Sequence, residues 1–188
     1  MHAVEPRWFA LKVGYRKEKV VKKLLEYAGV ECFLPIRDRP FRYKSKTGVR
    51  QIPLLGGYLF VRVVTAQVNA VLQPSFVFGF VRIGRYRKQV TQAEIELLQR
   101  LCTNHHLQWE VEAQAPELTA GTLVEIARGP LAGVRGHYVE KKNKKTFIIS
   151  FGGLDARLTT CEVAPEMIIP LKGEIERDSS SELQKDKS

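Results

Sequence analysis

The chain has 188 residues, 44% of them hydrophobic, and a formal net charge of +10 with a pI near 9.7. That length predicts one domain or two small ones, and so strong a cationic excess points to polyanionic partners, nucleic acid above all. No apolar run approaches the ~18 residues of a membrane helix, MHAVEPRWFALKVGYRK lacks a secretory apolar core, and Cys32, Cys102 and Cys161 form no CxxC pair, so a soluble cytoplasmic chain with reduced thiols is expected.

Trp8 to Val13, WFALKV, reads as a first strand. It gives way to GYRKEKVVKKLLEYAG, where Val20, Val21, Leu24, Leu25 and Ala28 recur at helical spacing over a Lys-rich face and Gly29 is the stop. ECFLPIR is a second strand, followed by the charged stretch RDRPFRYKSKTGVRQ. YLFVRVV is a third, with Tyr58, Phe60 and Arg62 on one face. AQVNAVLQP reads as a short helix ended by Pro74, and VFGFVRIG as one strand. TQAEIELLQRLC opens with Thr91 and Glu94 at capping-box spacing, which ties off the first amides of a helix. A hairpin-like link between the second and third strands disfavours a parallel sheet. The fold class expected is α+β, an antiparallel sheet with flanking helices.

NHHLQWEVEAQAPE holds no steady period and reads as a linker. Beyond it TLVEIAR, VRGHYVEK, KTFIISF and ARLTTCEV are short β runs separated by the turn signals GPLAG, KKNK and GGLD. Strands at that spacing predict a small β-barrel. Its β-formers Val124, Ile126, Val134, Thr146, Phe147, Ile148 and Ile149 favour a stable one. The last seventeen residues carry four basic against five acidic side chains, which leaves +11 on the rest of the chain. They have little to bury, and a disordered tail is expected there.

The octet GPLAGVRG, residues 129–136, lacks the Lys-Ser/Thr ending of a Walker loop and the helix that follows a dinucleotide loop. Its mechanics suit a tight turn. Gly133 can take positive φ, and Gly136 lets two strands approach closely.

A strand, this octet and a strand beginning HYVE together resemble the KOW motif of proteins that work on transcription and on ribosomes. WFALKV…KVVKKLLEYAGVECFLP…GGYLFVRV…VFGFVRIG closely resembles the NGN domain of NusG-type elongation factors. The family's central strand usually reads PGYVFV; here it is Gly56-Gly57-Tyr58-Leu59-Phe60-Val61. The resemblance implies an NGN domain over residues 6–104, a linker over 105–117, an SH3-like KOW barrel over 118–171 and a tail over 172–188. KVVKKLLEYAGVECFLP and VRIG look more like specialised paralogues, the operon-specific antiterminators of the RfaH and UpxY types.

In that family an apolar NGN pocket docks onto the clamp helices of bacterial RNA polymerase and suppresses pausing and termination. The matching positions are Leu55, Tyr58, Phe60, Phe80, Ile83 and Ile95. Strand aromatics serve core and interface alike, so Phe60 and Phe80 fit either role, whereas the Tyr58 hydroxyl suits a half-wet position. Arg37, Arg39, Arg42, Lys44, Lys46 and Arg50 stand against one acid, Asp38, with Phe41 and Tyr43 interleaved. That is the footprint of a loop lying on a phosphate backbone with rings available for stacking. It equally describes a hairpin kept soluble by charge. The resemblance places this hairpin, with Arg16 and Lys17 of the first helix, toward upstream or non-template DNA.

For the barrel, built on Gly129, Gly133 and Gly136, the resemblance implies a termination factor or a small-subunit ribosomal protein as partner. A monomer acting stoichiometrically, without cofactor or membrane, is expected. His105 and His106 with Cys102 lack a fourth partner at ligand spacing, so no metal is expected. No nucleophile–base or paired-carboxylate arrangement stands out, and no catalysis is expected. The other expectations are a general NusG elongation factor and a ribosome-associated KOW protein that binds RNA.

Overall fold

The computed structural model describes residues 5–103, 110–113, 122–129, 131–141, 144–151, 154, 156–160, 163 and 165–171. The tail over 172–188, Trp109 and the His105-His106 pair lie outside the described residues.

Strand β1 (Arg7–Val13) leads into helix α1 (Glu18–Tyr27), whose end is set by Gly29 at φ +76°. Strand β2 (Glu31–Phe33) stops before Pro35, and a hairpin of β3 (Ile36–Tyr43) and β4 (Lys46–Pro53) follows. Strand β5 (Tyr58–Val63), a 3₁₀ turn at Thr65–Gln67 and the short helix α2 (Val68–Val71) come next. The predicted single strand VFGFVRIG is two: β6 (Val77–Phe80) pairs with β1, whereas β7 (Arg82–Ile83) turns away to pair with β8 (Tyr86–Arg87). The break falls at Val81, which is buried and donates its amide to the Ala10 carbonyl at 2.8 Å. Strand β9 (Gln89–Val90) and helix α3 (Gln92–Thr103) complete this part. The capping box forms: the Glu94 amide donates to Thr91 Oγ1 at 3.2 Å and the Thr91 amide to Glu94 Oε2 at 2.7 Å.

The sheet runs β2-β5-β1-β6, with β9 also on β1, and its pairings are antiparallel. Alternation along β5 divides the core as the pleat requires. Leu59, Val61 and Val63 face a cluster with Val21 and Leu25 of α1, while Tyr58 and Phe60 join Ile95, Leu98 and Leu101 of α3 on the other side. Only Val21 and Leu25 of the apolar α1 stripe are buried; Val20 and Leu24 are exposed.

The C-terminal part is a six-stranded antiparallel sheet, β10-β14-β13-β12-β11-β15. Its strands are β10 (Glu110–Ala113), β11 (Thr122–Ile126), β12 (Arg135–Lys141), β13 (Lys144–Ser150), β14 (Ala156–Thr160) and β15 (Ile168–Pro170). Strand β10 falls within the stretch expected to be linker. Its register on β14, Val111 opposite Leu158, places an edge strand where four residues are too few for a period to be visible. Gly133 has φ +82°, and a Cβ on Gly136 would sit 2.5 Å from the Ile148 carbonyl oxygen. Both glycines therefore serve the β11–β12 turn and the close approach of β12 to β13.

Candidate nucleic-acid and polymerase interface

The β3–β4 hairpin pairs with no other strand among the described residues and forms its own two-stranded sheet. Register runs from Ile36 opposite Pro53 to Tyr43 opposite Lys46. Arg39, Arg42, Lys44, Lys46 and Arg50 are exposed, and Arg37, near the base, is half-buried. Phe41 lies over the small Gly48, and the Arg50 guanidinium sits 4.4 Å from its ring centroid. Tyr43 is 66% exposed near the tip, with the Lys44 ammonium 5.6 Å from its ring. These pairs hold cations and rings side by side and leave most of the charge in solvent.

Helix α1 adjoins this surface, since Lys19 Nζ donates to the Gln51 carbonyl at 3.1 Å. Arg16 and Lys17 are exposed just ahead of the helix, Arg16 in the left-handed region at φ +63°. Sequence reasoning missed the rings beside them. The Arg16 guanidinium is 5.5 Å from the Tyr15 ring, and the Lys17 ammonium is 5.0 Å from Phe76. Phe76 holds φ +76°, a costly conformation for an aromatic residue, and its carbonyl accepts the Gly14 amide at 2.8 Å. The signal in the sequence was SFVF, directly after Pro74.

The six positions matched to the apolar pocket do not form one exposed patch. Leu55, Tyr58, Phe60 and Ile95 come together, all at most 6% exposed. Their cluster continues into Val124, Ile126, Leu131, Val134 and Phe147 of the C-terminal sheet and its turn. The Arg100 guanidinium on α3 also donates to the Ala132 carbonyl at 2.7 Å. Phe80 lies against the opposite cluster, edge-on to Phe9 with centroids 5.8 Å apart. Ile83 is 53% exposed on β7.

Glu18 anchors the approach to β5. It is buried at the start of α1, and its Oε1 accepts the Gly57 amide at 2.7 Å, which ties the helix to the turn before Tyr58. Burial pushes the Cys32 thiol up to about 12 and the Cys102 thiol up to about 11, as the uncharged form suits a dry site. Among the described residues no helix is long and apolar enough to cross a membrane.

No curated protein matches the sequence. Among solved structures, one described as "Domain interaction in Thermotoga maritima NusG" is similar at 20% identity and a TM-score of 0.54, covering 89% of this chain and 98% of that one. The MjSpt4:Spt5 complex, conformation A, aligns at 18% identity with a TM-score of 0.31, covering 89% and 99%. The Thermotoga likeness speaks for the fold alone. Residues 6–99 match the family described as "Transcription termination factor nusG", half of the chain. By that match over half of its length, the chain belongs to the NusG family of transcription factors.

Proposed function

We propose that the chain is an operon-specific regulator of transcript elongation, acting on RNA polymerase as an antiterminator. The observation that carries this reading is the β3–β4 hairpin, which holds five of its six basic side chains in solvent around two aromatic rings. Such a projection suits the phosphate backbone of DNA beside a polymerase, where contacts position a protein without choosing bases. Arg16 and Lys17, with the Tyr15 and Phe76 rings, extend it along α1.

Leu55, Tyr58, Phe60 and Ile95 are the anchors proposed for the polymerase clamp helices, since apolar and aromatic side chains in a pocket supply most of a helix-in-groove contact. Their burial in a cluster shared with the C-terminal sheet means that clamp helices compete with that sheet. Binding then shifts an equilibrium between a covered and an open pocket by the difference in affinity for the two. The C-terminal sheet is proposed to be a KOW domain that, once released, is free for a termination factor or a ribosomal protein.

The test is a purified transcription reaction with bacterial core polymerase and a template carrying a terminator. The full chain is expected to bind the polymerase, to lose that binding when the clamp helices are deleted, and to raise read-through. Arg39→Gln/Arg42→Gln/Lys44→Gln should keep polymerase binding and lose most of the read-through. Increased termination would favour a general factor, the reading that the matched family's own description supports. Binding to naked RNA but not to polymerase would overturn both in favour of a ribosome-associated role.

A further inference from the structure

The β7–β8 hairpin, RIGRYRK in sequence, carries a second concentration of positive charge, on a two-stranded sheet separate from the β3–β4 hairpin. Its strands are two residues each, and Arg82 stands directly opposite Arg87, with Ile83 opposite Tyr86. Gly84, at φ +57°, opens the two-residue turn, and Arg85 completes it. Like charges placed opposite each other destabilise a ladder, and so short a hairpin has little to spare. Among the described residues no carboxylate pairs with Arg82, Arg85 or Arg87. The neighbouring acid, Glu94, is taken by Lys88 at 3.2 Å and by the helix cap.

The hairpin and the paired strands β1 and β9 border an open, shallow cleft of about 420 Å³. Arg7, Arg82, Arg85 and Arg87 line it, along with Phe9 and Tyr86. The Arg87 guanidinium is held 5.3 Å over the Phe80 ring, which itself packs edge-on against Phe9. Arg87 is thus oriented before any ligand arrives. Tyr86 is 83% exposed, an open ring beside four guanidiniums. Guanidinium forks match phosphate oxygens, and an open ring accepts an unpaired base face-on. The volume lies within the small-ligand range and suits a nucleotide unit of one strand, not a duplex.

We propose that this cleft binds a single unpaired polynucleotide strand, with phosphates on Arg7, Arg82, Arg85 and Arg87 and one base stacked on Tyr86. It goes beyond the elongation reading and needs no polymerase, so the two stand or fall separately. An approaching phosphate relieves the repulsion between Arg82 and Arg87, and the cleft gains affinity from charges that oppose one another without it. DNA and RNA share this chemistry.

The test is fluorescence anisotropy of labelled oligo-dT, oligo-rU and a duplex of matched length against the full chain over a range of salt. Arg82→Gln/Arg85→Gln/Arg87→Gln is expected to flatten the salt dependence for single strands by about two charges' worth. Tyr86→Ala is expected to weaken single-strand binding about fivefold or more, whereas Tyr86→Phe keeps it, since the ring and not the hydroxyl stacks. Duplex affinity should be unmoved by Tyr86→Ala. The strand bound more tightly identifies the source, and equal binding fits a site that reads only backbone and stacking. Circular dichroism confirms that the variants keep the fold. The proposal is overturned if folded arginine and Tyr86 variants bind both strands as the wild type does, with Arg39→Gln/Arg42→Gln/Lys44→Gln alone losing binding.

Discussion

At the scale of single residues, buried Glu18 and half-buried Cys32 hold the fold through their backbone partners. Glu18 spends its carboxylate on the Gly57 amide, and Cys32 donates its thiol to the Val30 carbonyl at 3.4 Å. The thiols make a pH prediction. Because the raised pKa values belong to the folded state, the unfolded chain deprotonates first. The stability Cys32 and Cys102 contribute is therefore complete below about pH 8.5, the ordinary thiol value, and is lost as pH rises toward their folded values. At about pH 8, alkylation mapped by mass spectrometry should modify both at least roughly a hundredfold more slowly in the folded chain than in denaturant, as only the thiolate reacts. Equal rates would mean that the helix and strand carrying them open freely.

At the scale of elements, close strand approach has a measurable consequence. Besides the Ile148 carbonyl, a Cβ at Gly136 would meet the Phe147 ring at 2.7 Å, and both neighbours are held by buried packing. Gly136→Ala is expected to destabilise the C-terminal sheet by about 1–3 kcal/mol through overpacking. Gly133→Ala, where open space surrounds the Cβ and only the positive φ is strained, should cost nearer 1 kcal/mol. Thermal melts of the two variants check the order, and a reversed order would place the constraint in the turn. Much at this scale was legible beforehand. Thr91 and Glu94 cap α3 because the box is local, and Gly29 ends α1 for the same reason. VFGFVRIG was misread because its β-formers fit one strand as well as two, and only the pairing partners of Arg82 and Ile83 show the break.

At the scale of the whole molecule, one apolar cluster joins the α3 side of the N-terminal sheet to the C-terminal sheet. The Arg100–Ala132 hydrogen bond is a polar tie across the same junction. Arg100 is exposed, so solvent discounts the bond to about 1 kcal/mol. If the pocket must open for polymerase, Arg100→Ala should tighten binding to core polymerase about fivefold, read by equilibrium titration. Unchanged affinity would mean that the anchors are reached without parting the two sheets. The positions matched to the pocket behave differently for a physical reason. Tyr58 and Phe60 share one face of β5 by the pleat, and α3 brings Ile95 to them. Phe80 falls on the other side of the sheet, and Ile83 leaves it altogether.

What the sequence determined by itself was whatever rests on local chemistry. The basic hairpin, the caps, the helix stop, the alternation of β5 and the turn glycines each depend on residues a few places apart, where backbone sterics and periodicity act directly. What only the tertiary structure decided was which exposed-looking groups are covered and which charges converge. Half of the α1 stripe stays in solvent, and the Tyr58 ring, suited to a half-wet place, is buried. Arg7 meets Arg82, Arg85 and Arg87 across some seventy-five residues or more of chain. Burial and convergence depend on strand pairing between distant segments, and no spacing along the chain encodes that pairing.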